Sequence, residues 1–205
     1  MNTPKIILAS ASPRRRELLA QMGLVFEAVT VEADEIPRQG EQAEHYVHRV
    51  AAEKSWLGQL SCQSRLPVLG ADTEVVLNGE VFGKPSGIDH ARDMLSRLSG
   101  REHQVLSAVS LRSGNHHWQA MSISKVRFRE IADEEIEAYW ATGEPCDKAG
   151  AYAIQGLGAI FVAHLEGSFS GVMGLPVFET AGLLREAGIE VLVTPPNPTA
   201  NRKCL

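Results

Sequence analysis

The order in which hydrophobic periodicity changes along the chain constrains its fold more than any other feature. Near the start, the apolar run Lys5–Ala9 reads as a short buried strand. Ser12-Pro13 then opens a helix, with Ser at the N-cap and Pro at the first helical position, and Gly23 stops it. Val25–Val31 reads as a second strand, and Glu41 to Leu60 has a helical period. The middle of the chain changes character. Pro67–Leu77 and Gly79–Lys84 read as strands joined at Asn78-Gly79, a favoured two-residue hairpin turn because both residues tolerate positive φ. A helix over Asp89–Leu98 turns Ala91, Leu95 and Leu98 inward. Two more strands follow, His103–Leu111 and His117–Phe128, joined by Ser113-Gly114-Asn115. Then come a helix over Asp133–Thr142 capped by Asp133, a glycine-rich segment Asp147–Gly158, and a strand Ala159–Leu165. A helix from Pro176 to Ala187 and a last strand Ile189–Val193 close the pattern. Strand–helix alternation at both ends calls for parallel neighbours, and hairpins in the middle call for antiparallel ones. The expected fold class is α/β with a mixed sheet, not a purely parallel doubly wound one.

A chain of 205 residues suits one domain, or one domain with a small second lobe. At this size it can bury roughly 70% of the surface its unfolded chain exposes, so it needs neither disulfides nor metal to fold. We expect one domain over residues 1–193 and a flexible tail over 194–205, which is rich in Pro, Asn and Thr. The net charge of −5 argues against broad nucleic-acid binding. It leaves room for a local basic cluster, because exposed charges are screened beyond about 8–10 Å. No apolar run is long enough for a membrane span, and the first ten residues do not read as a signal peptide. Cys62, Cys146 and Cys204 form no zinc or redox motif and read as reduced thiols, so a cytoplasmic location is expected.

Five places hold candidate chemistry. Arg14, Arg15 and Arg16 crowd the first turn of a helix, where negative charge is favoured by about 0.3–1 kcal/mol. They gain if an anion sits among them with Ser10 and Ser12; the alternative is a solvated basic face paired with Glu17. Lys54 shares a helical stripe with Ala43, Val47, Val50 and Leu57, so it must snorkel, pair or touch a ligand. Asp72 interrupts an apolar strand and is either half of a structural salt bridge, a metal ligand or a general base. Strict hairpin register puts Lys84 near Asp72 but on the opposite sheet face, so the strand must twist or bulge at Gly83 for both to meet one ligand. Finally, Gln155 in the glycine-rich segment offers a donor and an acceptor side by side, and Gly167–Pro176 sets hydroxyls and glycine before a helix. There is no P-loop, HExxH or nucleophile elbow. Arg, Lys, hydroxyls and carboxylates together suit metal-assisted attack on a phosphate ester.

In order, the segments LASASPRRRELL, VEADE, GADT, GKP, DKAGAYAIQG and GLP resemble the Maf family of nucleoside triphosphate pyrophosphatases, from Ile6 to Gly188. The resemblance implies a mixed α/β fold with two lobes around a central cleft, related to the inosine triphosphatase fold. It implies cleavage of a nucleoside triphosphate between its α and β phosphates, a divalent cation (Mg²⁺ or Mn²⁺), and a homodimer. By position, Asp72 matches the family's general base. Ser10, Arg14, Arg15, Lys54 and Lys84 match its phosphate-handling positions, and Glu35 a metal or water contact. Arg14, Thr73 and Gln155 match the residues that sort substrates, and they resemble the subgroup acting on dTTP and UTP. The subgroup acting on 7-methyl-GTP has Trp, Gln and Glu there. Phe169 and Gly171 depart from the family pattern, which favours Tyr and a larger residue. The implied partners are the triphosphate and a second copy of the chain, with no nucleic acid and no membrane. The rival readings are a pyrophosphatase limiting modified nucleotides and a nucleotide-responsive regulator of cell division.

Overall fold

The computed structural model describes residues 3–62 and 65–191. Its seven strands are β1 (Ile6–Ala9), β2 (Phe26–Val29), β3 (Val68–Leu77), β4 (Glu80–Phe82), β5 (Glu102–Ser113), β6 (His116–Phe128) and β7 (Val162–Glu166). Its α-helices are α1 (Pro13–Gln21), α2 (Ala43–Ser61), α3 (Ile88–Leu98), α4 (Asp133–Ala141), α5 (Phe169–Met173) and α6 (Val177–Glu186). The sheet runs β2-β1-β3-β5-β6-β7, with β4 also on β3. β1 pairs in parallel with β2 and β3, whereas β3, β5, β6 and β7 pair antiparallel, so the mixed sheet expected from the element order is present.

One feature of this topology creates the cleft. β5 lines one edge of β3 from Val68 to Val76. Both β1 and β4 must therefore use the other edge. β1 meets it only at Val68 and Leu69, and β4 only from Val75 to Leu77. The edge from Gly70 to Glu74 lies between them, with no neighbouring strand among the described residues. Beyond Ala9 the chain leaves β1 through Ser10 into α1 instead of continuing along β3.

The core divides in the same way. On β1's side, Ile6, Leu8, Leu18, Leu19, Leu183 and Leu184 pack together. On β4's side, Phe82, Leu95, Leu98, Phe128, Ile136 and Phe161 form a second cluster. Across the sheet, α2 covers the remaining face through Tyr46, Val47, Val50 and Ala51 against Val76, Leu106 and Ala108. Two lobes thus flank a central gap.

The Asn78-Gly79 turn forms as expected, with φ of 52° and 83°, and Leu77 pairs with Glu80. Three expectations need correction. Ile189–Val191 is not a strand, and Leu192 and Val193, like the tail over 194–205, lie outside the described residues. Ile189 instead finishes α6 in a Schellman motif, its N–H donating to Leu184 O at 2.8 Å while Gly188 N–H donates to Arg185 O at 3.0 Å. The side chains of Ile189 and Val191 then pack on the first core cluster, which accounts for their apolar pattern. At α4 the cap position is Ala132, not Asp133, because Glu135 folds back to accept from Ala132 N–H at 3.1 Å. The strand expected from Ala159 starts at Val162, since Leu157–Phe161 forms a 3₁₀ turn.

Candidate active site

A cavity of about 330 Å³ opens over the unpaired edge of β3. Ser10, Arg14 and Arg15 line it from one lobe, Lys84, Asp147 and Gln155 from the other, and Lys54, Asp72, Thr73 and Glu74 from its floor. The structure brings every residue expected at the site, including Glu35, into this one cavity.

The floor follows from how α2 meets β3. Gly70, Asp72 and Glu74 alternate onto the face that α2 covers. A Cβ at Gly70 would lie 2.5 Å from both Ala51 O and Ser55 N, so glycine lets the helix backbone rest on the strand. That contact sets Lys54 directly beside Asp72, two residues along. Lys54 Nζ donates to Asp72 Oδ1 at 2.8 Å and lies 2.6 Å from Glu35 Oε1. Lys54 is 7% exposed and Asp72 4%, so this is a buried pair and not a snorkelling lysine. Asp72 Oδ2 is buried with no hydrogen-bond partner among the described residues. An unsatisfied buried polar atom costs about 1–3 kcal/mol, more when charged, which the rest of the fold must offset.

Glu35 sits on an irregular segment that α2 straps in place. Tyr46 Oη donates to Glu35 O at 2.8 Å, while Arg49 donates to Asp34 O and to Ile36 O, each at 3.0 Å. Glu53 accepts from Asp34 N–H at 3.1 Å. Burial pushes the Glu35 carboxyl up, but the charge and hydrogen bond of Lys54, then the charge of Lys84, outweigh it and hold the group below its usual range. Lys84 Nζ stands 3.8 Å from Glu35 Oε2. No bulge is needed to bring Lys84 here. β4 ends at Phe82, so Gly83 and Lys84 have left the ladder and are free of its alternation. Gly83 O accepts from Gly150 N–H at 3.1 Å, tying this exit to the glycine-rich segment.

The first turn of α1 faces the same gap. Ser12 occupies the N-cap position, but its side chain makes no capping bond; its N–H donates to Ser10 Oγ at 3.2 Å. Arg15 donates to Gly174 O at 2.8 Å and to Ser10 Oγ at 3.3 Å. Burial lowers its pKa, partly countered by Asp72 and Glu35. Arg14 reaches across the mouth to Asp147 at 3.4 Å. Arg14 and Arg15 thus turn toward the cavity, whereas Arg16 is exposed and lies outside it; among the described residues none of the three forms an ion pair with Glu17. Thr73 Oγ1 lies 2.9 Å from Ser107 Oγ, its register partner on β5, which in turn donates to Gly171 O at 2.6 Å.

Gln155 is exposed on the turn between two 3₁₀ segments. The turn is organised by Glu144, whose carboxylate accepts from Leu157 N–H and Gly158 N–H, each at 3.0 Å, and from Tyr139 Oη at 2.6 Å. A Cβ on Gly156 would clash with the Glu144 carboxylate, so a side chain there would have to displace the group that anchors the turn.

Sequence reasoning missed Glu74, the strap residues Tyr46 and Arg49, and the Glu144–Tyr139 anchor. Glu74 was within reach, because alternation from Asp72 puts it on the same face. Its Oε2 is buried without a hydrogen-bond partner, and burial, then the Asp72 charge, pushes the carboxyl well above its usual range. The spacing of Tyr46, Arg49 and Glu53 is also helical. No local pattern points from Glu144 to a turn more than ten residues away.

Five cationic side chains (Arg14, Arg15, Lys54, Lys84 and Lys148) line the cavity around the buried Asp72 carboxylate, an arrangement with the charge to suit a polyanion. Residues 5–187 match the family described as Maf-like protein, and the chain belongs to the Maf family. A relative from Methylococcus capsulatus, named dTTP/UTP pyrophosphatase, is 66% identical over 90% of this chain and 92% of its own. Proteins with the same name from Chromobacterium violaceum and Escherichia coli O157:H7 are each 50% identical, covering 93% and 87% of this chain and 98% and 91% of theirs. The subgroup that Arg14, Thr73 and Gln155 resemble is the one these relatives are named for. A solved nucleoside-triphosphatase / dITP/XTP pyrophosphatase from Mycobacterium abscessus overlaps 89% of this chain and 94% of its own at 17% identity, with a TM-score of 0.43, a likeness too weak to argue from. Among the described residues no helix is long and apolar enough to cross a membrane.

Proposed function

We propose that this protein is a nucleoside triphosphate pyrophosphatase that hydrolyses dTTP and UTP to the monophosphate and diphosphate. The observation that carries the reading is Asp72. One oxygen is held by Lys54 at 2.8 Å, the other is unpartnered among the described residues, and Asp72 lines the cavity together with Arg15, Lys54 and Lys84. Water would attack the α-phosphorus as the bond to the α–β bridging oxygen breaks. Asp72 Oδ2 is the group available to take the water's proton, or to anchor the cation beside it. Lys54, Lys84 and Arg15 would neutralise the charge gathering on the leaving diphosphate. Arg14, Thr73 and Gln155 would sort the nucleotide. Uracil and thymine present two carbonyl acceptors flanking an N–H, an edge that the planar amide of Gln155 can match.

The oxygen donors here fit a hard divalent cation. Mg²⁺ or Mn²⁺ would be held by Asp72, with Glu35 contacting the metal or its water, and would supply charge neutralisation at the phosphates. A cytoplasmic homodimer, a role in limiting modified nucleotides and a link to cell division belong to the same proposal and rest on the family resemblance. Hydrolysis of UTP in ¹⁸O-water, followed by ³¹P NMR, tests the reaction. The expected products are labelled UMP and unlabelled pyrophosphate. Label in the pyrophosphate would place attack at the β-phosphorus, and no turnover of UTP or dTTP with either metal would sink the assignment.

A further inference from the structure

Glu74 is a carboxylate in the cleft that neither the Maf resemblance nor the phosphate chemistry above uses. We propose that Glu74 is a second protein ligand for the divalent cation, placed beside Asp72 on one face of β3. The inference rests on the proposed cation-dependent reaction. Its basis is geometric. Asp72 and Glu74 are two residues apart in a strand, so their side chains leave the same face. Both line the cavity. Each keeps one buried oxygen, Asp72 Oδ2 and Glu74 Oε2, without any hydrogen-bond partner, and Asp72 is 4% exposed.

Glu35 differs, since its two oxygens face Lys54 at 2.6 Å and Lys84 at 3.8 Å. A proton shared between Glu74 and Asp72 Oδ2 is the other way to satisfy these oxygens, and Mn²⁺ binding separates it from a cation. A hard cation satisfies both orphaned oxygens at once. Among the described residues, no three His, Cys, Asp or Glu side chains stand together as a complete cage. Two carboxylates are nevertheless the usual protein share for Mg²⁺ at a nucleotide, with phosphate oxygens and water completing the shell.

The test is Mn²⁺ binding measured by electron paramagnetic resonance in the presence of an α,β-non-hydrolysable UTP analogue. Wild type, Glu74→Gln and Glu74→Asp are compared, with thermal melts confirming folding. Glu74→Gln keeps shape and loses charge; Glu74→Asp keeps charge and withdraws the oxygens by one methylene. A direct ligand predicts at least about a tenfold loss of Mn²⁺ affinity in both, since even outer-shell partners cost 10–100-fold. Wild-type affinity in Glu74→Asp with a loss only in Glu74→Gln would mean that Glu74 acts by charge, and would overturn ligation. Wild-type affinity in Glu74→Gln would overturn it as well. If wild type with the analogue binds no Mn²⁺, the cation-dependent reading fails first and this proposal with it.

Discussion

The two ends of the cleft are built by different means. At the proposed phosphate end, the key side chains stand on regular elements: Asp72 within β3, Lys54 within α2, Arg14 and Arg15 in the first turn of α1. Backbone contact at Gly70 fixes the spacing between strand and helix. At the other end, Gln155 sits on a turn with no repeating structure, held by one carboxylate, Glu144, reaching from another 3₁₀ segment. The first construction ties the chemistry to the packing of the sheet. The second lets the residue at position 155 change without disturbing that packing. This suits the proposed function, in which phosphate chemistry and base recognition are separate tasks.

Substitutions at each end sharpen this contrast. Asp72→Asn is expected to have the largest effect, lowering kcat by about 10²–10⁴-fold for every triphosphate while the protein stays folded. Near-normal kcat at saturating metal would remove Asp72 from the chemical step. Lys54→Ala comes next and should strike stability and activity together. It strips Asp72 and Glu35 of their shared ammonium, and breaking a buried pair costs about 3–5 kcal/mol. Urea denaturation and steady-state kinetics on one preparation would show both; a stability loss with unchanged KM and kcat would make Lys54 purely structural.

The glycine-rich end carries its own acid sensitivity. His103 Nε2 lies 2.9 Å from Tyr152 Oη, and burial lowers the histidine pKa to about 4. Its folded pKa is below the unfolded value of about 6.5, so the unfolded chain takes up the proton first. The stability it contributes is complete above about pH 6.5 and is lost as pH falls toward 4, to a total of about 3 kcal/mol. His103→Gln should flatten that part of the stability profile in urea titrations between pH 7 and 4. A variant with the wild-type slope would assign the acid sensitivity to other groups. Glu144→Ala should be milder. It leaves Leu157 N–H and Gly158 N–H without their acceptor, about 1–3 kcal/mol, and should lower the UTP:ATP ratio of kcat/KM through Gln155 while hardly changing ATP turnover. A uniform loss on both nucleotides would mean that the turn serves the whole cleft.

How much of this was legible in the sequence follows the same division. Lys54 was visible because a helical stripe is periodic, and Asp72 because a carboxylate interrupts an apolar strand. The Asn78-Gly79 hairpin set the β3–β4 register correctly, yet counting along it misplaced Lys84, because strand alternation ends where pairing ends. The strand expected at Ile189 went astray for a related reason: an apolar residue after a helix can be the hydrophobic contact of a C-terminal cap as readily as the start of a strand. Gln155 was visible as an amide in a glycine-rich segment and took its sorting role from family resemblance, whereas its anchor Glu144 could not be read at all, since no period links a carboxylate to the turn it organises. The cleft itself comes from β1 and β4 sharing one edge of β3, a long-range pairing that strand propensity does not encode.

The most direct test of this division is kcat/KM for UTP, dTTP, CTP, ATP and GTP on wild type, Asp72→Asn and Gln155→Glu. Replacing the amide with a carboxylate sets an acceptor against a carbonyl, an unpaired contact worth about 1–3 kcal/mol, or roughly 5–150-fold. The account predicts that Asp72→Asn lowers all five substrates with the UTP:ATP ratio preserved. It predicts that Gln155→Glu lowers UTP and dTTP, barely touches ATP, and so collapses the ratio. An unchanged ratio in Gln155→Glu, or a ratio altered by Asp72→Asn, would contradict the separation of chemistry from recognition.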